Sequence, residues 1–343
     1  KIDADFAQLF GAFAGVESAQ AYMAGIDVLV PEESSSSLTA QTLNARVSMS
    51  ASLSCPVFEG SSTLMQETDC AWARVIGNWT EQNSTSDVSG YKQNAITYRV
   101  GAQREVVDDW FVGATAGFTQ SWLNSADASS STDGQGADAA LSLKHQAGPW
   151  LFALSGHLGF GNYQTDRVSP IGDQTYTSSG TANVLTTGGR FRASYEFAFA
   201  SWYLRPYADF DVLYTYMPAH SESGTGATFD FASANQLNFA FSPNIEVGGR
   251  IDYTPTLWLR PYASAGMTFF AKDSMPIGVS FAGASDLVSD FVTEVNIPST
   301  LVNLSAGLQL FDTKGYEVRA EYKADIGDTY LSQELSARFA VQF

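Results

Sequence analysis

From Tyr316 to the end of the chain, apolar and polar side chains alternate with a period of two. Tyr316, Val318, Ala320, Tyr322, Ala324 and Ile326 are set against Glu317, Arg319, Glu321, Lys323 and Asp325. Leu335, Ala337, Phe339, Val341 and Phe343 are set against Glu334, Ser336, Arg338, Ala340 and Gln342. That spacing sends alternate side chains to opposite faces of a β-strand, so each strand has one apolar and one ionic side. The same rhythm predicts strands near 72–82, 92–104, 110–124, 135–146, 149–163, 182–198, 201–216, 236–253, 257–271, 299–311, 315–326 and 329–343. Each reaches the roughly 9–11 residues with which a tilted strand crosses a bilayer.

Composition decides what the apolar face meets. Charged residues make up only 16% of the 343 residues, whereas aromatic residues reach 13%. Something other than charge covers the surface. No apolar run approaches the roughly 18 residues of a membrane helix. A closed β-barrel is the other way to satisfy every backbone hydrogen bond in lipid. Connections after even-numbered strands are short (105–109, 147–148, 199–200, 254–256, 312–314), and those after odd strands run longer (83–91, 125–134, 164–181, 217–235, 272–298). Only the last hairpin, near Gly327 and Asp328, is tight. Short periplasmic turns and longer outer loops put both the first strand's start and Phe343 on the periplasmic side, with an even strand count. The expected fold is an all-β membrane protein of the Gram-negative outer membrane. It is an antiparallel transmembrane β-barrel of about 12 strands with an N-terminal α-helical segment, part of it inside the pore.

The non-lipid face then becomes a pore lumen. It takes Arg99, Arg190, Arg192, Glu196, Arg205, Asp209, Asp211, Glu246, Arg250, Asp252, Arg260, Glu317, Arg319, Glu321, Lys323, Glu334 and Arg338. On the lipid face each charge would cost about 2–4 kcal/mol at mid-membrane. The alternative is the solvated face of soluble strands. Trp202-Tyr203-Leu204-Arg205-Pro206-Tyr207 recurs as Leu257-Trp258-Leu259-Arg260-Pro261-Tyr262, each after a Gly-Gly-Arg strand at 188–190 and 248–250. This reads as a repeated hairpin in which Pro206 and Pro261 are a modest cost to the ladder.

The first 71 residues differ. Phe6, Leu9, Phe10, Phe13 and Ala14, then Ala21, Met23, Ala24 and Leu29, recur at helical spacing before Pro31 and a Ser run at 34–37. Leu38 to Leu53 is also helical but polar, with Thr39, Gln41, Thr42, Asn44, Arg46, Ser48 and Ser50. If the upstream chain is outside, it must return through the pore to start the first strand, and a helix about 10–12 Å wide fits a barrel of this size. Thr42, Asn44, Arg46 and Ser48 are then pore-helix residues. The competing reading packs 1–53 as a periplasmic cap. The division that follows is 1–37, a helical linker; 38–71, pore-threading helix and junction; and 72–343, barrel. Cys55 and Cys70 have neither CxxC spacing nor nearby histidines, which favours a disulfide stapling helix to barrel at the periplasmic rim. Lys1 is followed by no signal-peptide pattern, so the chain reads as a fragment or mature product.

Ala21-Tyr22-Met23-Ala24-Gly25-Ile26-Asp27 followed by Pro31-Glu32 resembles the linker that precedes autotransporter barrels. Trp72-Ala73-Arg74 with Gly77, then Gly90-Tyr91, Gly101, Gly113 and Gly117, is similar to that domain's opening strands. The Arg-Pro-Tyr strands and Ala340-Val341-Gln342-Phe343 are similar to its later ones, and the cysteine pair departs from the commoner pattern. The resemblance implies a type V secretion translocator, inserted by the barrel assembly machinery, that exports an N-terminal passenger. Tyr330, Leu335, Phe339, Val341 and Phe343 would form an apolar stripe on an initially unpaired edge, an assembly signal read by strand addition.

The resemblance also raises self-cleavage, for which Asn44-Ala45 is the candidate; a polar residue inside a helix is the commoner explanation. A barrel hydrolase would draw on Ser155-Gly156-His157, with no third residue apparent, or on His220-Ser221-Glu222 in a long outer loop, where loop polarity is the commoner explanation; His145 stands alone. A free-standing porin or adhesin is the other alternative. No metal or cofactor is implied. The formal charge of −18 argues against nucleic acid. It suits loops among lipopolysaccharide and divalent cations, or simply solubility. The absence of coiled-coil heptads suggests a monomer in outer-membrane lipid.

Overall fold

The computed structural model describes residues 4–27, 36–53, 55–58, 62–84, 90–282 and 289–343. Pro31, Glu32 and the first part of the Ser run lie outside them. Twelve antiparallel strands form one closed ring. In order they are Cys70–Gln82, Tyr91–Val107, Trp110–Ser125, Ser130–Ala147, Trp150–Ile171, Gln174–Tyr195, Trp202–Met217, Ala234–Gly249, Leu257–Phe270, Thr300–Asp312, Tyr316–Ile326 and Tyr330–Gln342. The twelfth closes on the first from Tyr330↔Gln82 to Gln342↔Cys70. At a strand spacing of about 4.8 Å and a tilt of about 40°, twelve strands make a cylinder about 24 Å across between backbones.

Side-chain polarity is inverted relative to a soluble protein. Arg, Lys, Glu, Gln, Ser and Thr crowd the buried positions of the strands, and large apolar residues fill many of the exposed ones. On the fifth strand the exposed face runs Trp150, Phe152, Leu154, Leu158, Phe160 and then turns polar at Asn162, Gln164 and Asp166. Ten residue steps at that tilt span about 25 Å, the height of an outer-membrane apolar band. Trp110, Trp150, Phe197, Phe199, Trp202 and Tyr316 ring the end that carries the C-terminus, here the C-terminal rim.

The strands near the opposite rim are longer than the sequence suggests. The fourth begins at Ser130 rather than 135, the fifth ends at Ile171 rather than 163, and the sixth begins at Gln174 rather than 182. The predicted loop 164–181 is therefore a tight hairpin turning at Gly172, whose φ of +60° glycine adopts at no steric cost. Its Thr, Ser, Gly and Asp residues read as loop because both faces are polar above the apolar band, yet the ladder continues from Thr165↔Gly180 to Ile171↔Gln174. The connection 217–235 carries short strands His220–Gly224 and Phe229–Phe231, and 272–298 carries the hairpin Ser274–Phe281 and Phe291–Asn296.

Both Arg-Pro-Tyr repeats sit where a ladder is interrupted. The seventh strand pairs with the sixth up to Tyr207↔Ser194 and resumes at Leu204↔Phe197. The ninth pairs with the eighth up to Tyr262↔Gly248 and resumes at Leu259↔Ile251. Pro206 and Pro261 fall in these gaps, where no N–H is required, and their other sides stay paired.

Among the described residues, three helices precede the barrel: α1 (Ala4–Ala14), α2 (Ala19–Asp27) and α3 (Ser36–Ala51). Leu9 on α1 packs with Ile171, Tyr176 and Ala227, which places α1 at the far rim.

Candidate functional site

The lumen side of the barrel wall is a lattice of ion pairs built by the two-residue rhythm. Arg190 donates to Asp211 at 2.6 and 2.8 Å, and Arg192 donates to Asp209 at 2.6 and 2.7 Å. Arg260 donates to Glu246 at 2.6 Å and to the Tyr203 hydroxyl at 2.7 Å. Arg205 binds Glu196, and Tyr262 binds Glu321. Arg338 and Arg319 share Glu317 at 3.2 and 3.6 Å. Arg74 bridges the closing seam, donating from the first strand to Glu321 at 2.9 Å and Glu334 at 3.2 Å. Glycine makes room for this lattice: a Cβ on Gly307 would run into the Tyr262 ring, and one on Gly248 into that of Tyr203.

Helix α3 lies within the ring. Its Arg46 donates to Asp211 at 2.8 Å on the seventh strand, to Ser242 at 2.7 Å on the eighth and to Thr268 at 3.1 Å on the ninth. Ser48 accepts from Arg99 of the second strand at 3.0 Å and donates to Asp138 of the fourth. Ser52, just past the helix, bonds Ser155 of the fifth at 2.9 Å, and Thr42 bonds Thr215 of the seventh at 2.9 Å. Only a segment surrounded by the strands reaches six of them. Gln41 accepts from Tyr163 at 2.9 Å towards the far rim, whereas Ser52 meets Ser142 and Ser155 towards the C-terminal rim. The helix therefore runs down the barrel, spanning about 24 Å at 1.5 Å per residue. It leans on the middle strands and leaves a cavity of about 180 Å³ towards Asn78, Asn303, Lys323 and Glu334.

Each rim is closed differently. At the far rim, Leu38 joins Tyr163, Met217, Phe229, Phe231, Met275, Ile277 and Val279 in an apolar cluster over the mouth. At the C-terminal rim, a small antiparallel hairpin of Pro56–Phe58 and Met65–Glu67 crosses the opening. Glu67 accepts from Lys144 and Gln103, each at 2.8 Å, and both members of the Glu67–Lys144 pair are 0% exposed. Glu196 accepts the Met65 N–H at 2.7 Å. Phe58 packs on Tyr203, Trp258 and Phe311. Cys55 and Cys70 form a buried disulfide beside Trp72, with the Arg338 guanidinium 3.7 and 3.8 Å from the two sulfurs.

Two predicted positions need correction. Asp252, assigned to the lumen, is 68% exposed in the rim strand Ile251–Thr254. The register shift between Asp252 and Thr254 breaks the alternation there, and Arg250 instead turns across Trp258 and Phe58 at the mouth. Tyr330, assigned to the outer apolar stripe, is buried with Met49, Leu213 and Leu301. It is one residue out of phase with Leu335, Phe339 and Phe343, which are exposed.

Asn44 borders both the large cavity and a void of about 10 Å³ shared with Asp138 and His157. Asp138 is already engaged by Arg99, through bonds of 2.7 Å to both oxygens, and by Ser48. Ser155 bonds Ser52, His157 bonds Thr186 at 3.1 Å, His145 stacks on Trp110, His220 stacks on Phe231, and Glu222 binds Arg167. None of these forms a nucleophile–base pair, and among the described residues no His, Cys, Asp and Glu cluster suits a metal ion.

Sequence reasoning missed Asp138, Lys144, Glu67 and the clasp role of Arg74. Arg74 shares the phase of Trp72 and was open to the same rule. Asp138 lies in a Gly-Ala stretch where hydropathy does not tell the faces apart, and Glu67 lies in a strand of three residues, too short to show a period.

The family model for the autotransporter β-domain matches residues 71–323. The translocator domain of autotransporter NalP from Neisseria meningitidis superposes with a TM-score of 0.65 at 14% identity, covering 91% of this chain and 99% of that one. The transport unit of AIDA-I from Escherichia coli gives 0.52 at 12% identity, covering 91% and 98%. The β-domain of the Bordetella autotransporter BrkA gives 0.51 at 16% identity, covering 81% and 100%. No curated protein sequence matches.

Proposed function

The chain belongs to the autotransporter β-domain family, and from that premise we propose that it anchors an N-terminal passenger in the outer membrane and exports it to the cell surface. The observation that carries this reading is α3. A polar helix bonded to six strands and running from one rim to the other is what remains when a chain has been drawn through the pore and stopped. On this reading 1–37 is the linker that leaves at the outer rim, 38–71 is the arrested segment with its junction, and 72–343 is the conduit. The inward Arg and Glu lattice then lines the path, hydrated and without an apolar surface to hold a passing peptide.

Insertion would go through the barrel assembly machinery. Leu335, Phe339 and Phe343 are exposed and half-buried Val341 shares their phase, leaving an outward stripe on the closing strand, available for strand addition before the seam pairs. Lipopolysaccharide would surround the polar strand ends above the apolar band.

The test is an epitope fused ahead of Lys1 in intact Gram-negative cells. Surface labelling and protease shaving of the epitope are expected, and both should vanish when residues 316–343 are removed. An epitope found only in the periplasm, with the barrel inserted, would overturn the reading.

A further inference from the structure

We propose that the Cys55–Cys70 bridge is a mechanical tether, passing outward tension from the end of α3 straight into the first barrel strand while the rim hairpin stays seated. The direction of pull rests on the export reading above; the force path follows from the connectivity. Cys55 lies just beyond α3, Cys70 begins the first strand, and their Cα atoms are 6.3 Å apart. Cys70 is laddered on both sides, to Gln342 and to Gln103. Tension arriving there shears two ladders of thirteen residues each rather than peeling them open.

Without the bridge the same tension runs through residues 56–69. That segment is a hairpin of three residue pairs, marginal on its own and held by Glu67 on Lys144, Glu196 on Met65 and the packing of Phe58. It would unravel from one end. Fourteen released residues extend about 50 Å, twice the roughly 24 Å length of α3. The slack is enough to let the helix leave the pore and the hairpin leave the mouth. With the bridge intact the end of α3 stays within a few ångströms of the rim, and the hairpin lies in a closed loop that bears no tension.

The test pulls the full chain, folded in a lipid bilayer, by an N-terminal handle on the outer face. Extraction of the oxidised protein is expected to stop at Cys55. Cys55→Ser and Cys70→Ser each extend the final contour by about 50 Å. Oxidised protein folded first and then pulled in dithiothreitol gives the same gain with no substitution, so a folding defect in the variants does not decide the outcome. Equal contour lengths in all four cases, with the handle on the outer face, overturn the tether alone. A handle reached only from the opposite face overturns the export orientation, and the tether with it.

Discussion

Glu67→Gln should unseat the rim hairpin without unfolding the barrel. Glu67 and Lys144 are both fully buried, at 2.8 Å, so the substitution strands an ammonium group out of water. Removing one partner of such a pair costs about 3–5 kcal/mol, whereas replacing both with neutral groups is close to neutral or stabilising. The twelve-strand ladder does not involve Glu67, so the cost falls on the local equilibrium between seated and open hairpin. At about 1.4 kcal/mol per tenfold, the open population rises about 10²–10⁴-fold. Amide exchange at Val57, Phe58 and Met65 to Glu67 reads that population directly, with the Leu304 to Leu310 amides as an internal control. The double variant Glu67→Gln with Lys144→Met should restore most of the protection. Exchange in Glu67→Gln within threefold of wild type, or a double variant more open than the single, would show that the buried pair does not seat the hairpin.

Phe210 is outward and near mid-band on the seventh strand, so Phe210→Arg should lower refolding stability in vesicles by about 2–4 kcal/mol, measured by urea titration. Arg46→Ala removes three donors from α3 while Asp211 keeps Arg190. Loosening the helix by about 1.5–3 kcal/mol should raise the frequency of current bursts about 10-fold to 150-fold in bilayer recordings, with no change in the barrel's heat-modified gel mobility. Gly307→Ala pushes the Tyr262 ring off Glu321 and should cost about 1–3 kcal/mol, seen as a lower melting temperature of the folded gel band.

How much of this was written in the sequence depends on where contrast exists. Between Tyr316 and Ile326 every second residue is apolar or small and its neighbours are charged, so strand, face and phase are all legible. Between Gln164 and Thr181 both faces stand above the lipid, the contrast disappears, and paired strands look like a loop. Asp252 shows the limit of counting by twos, because a local register shift resets the phase and leaves no mark in composition. Tyr330 shows another limit: an aromatic residue near the outer rim suits a girdle or a plug contact equally well, and only its parity with Leu335 separates them. The helix was legible as polar and unbroken, but its partners were not. Asp211, Ser242 and Thr268 come together on Arg46 only once the ring has closed.

A barrel stoppered by its own chain should block ions, and conductance across a planar bilayer reads this without intermediaries. The full chain should carry only a small current through the cavity beside α3. The same barrel starting at Cys70, without helix or rim hairpin, should carry a large steady one. Full-length protein conducting as well as the truncated barrel would mean that α3 does not close the pore.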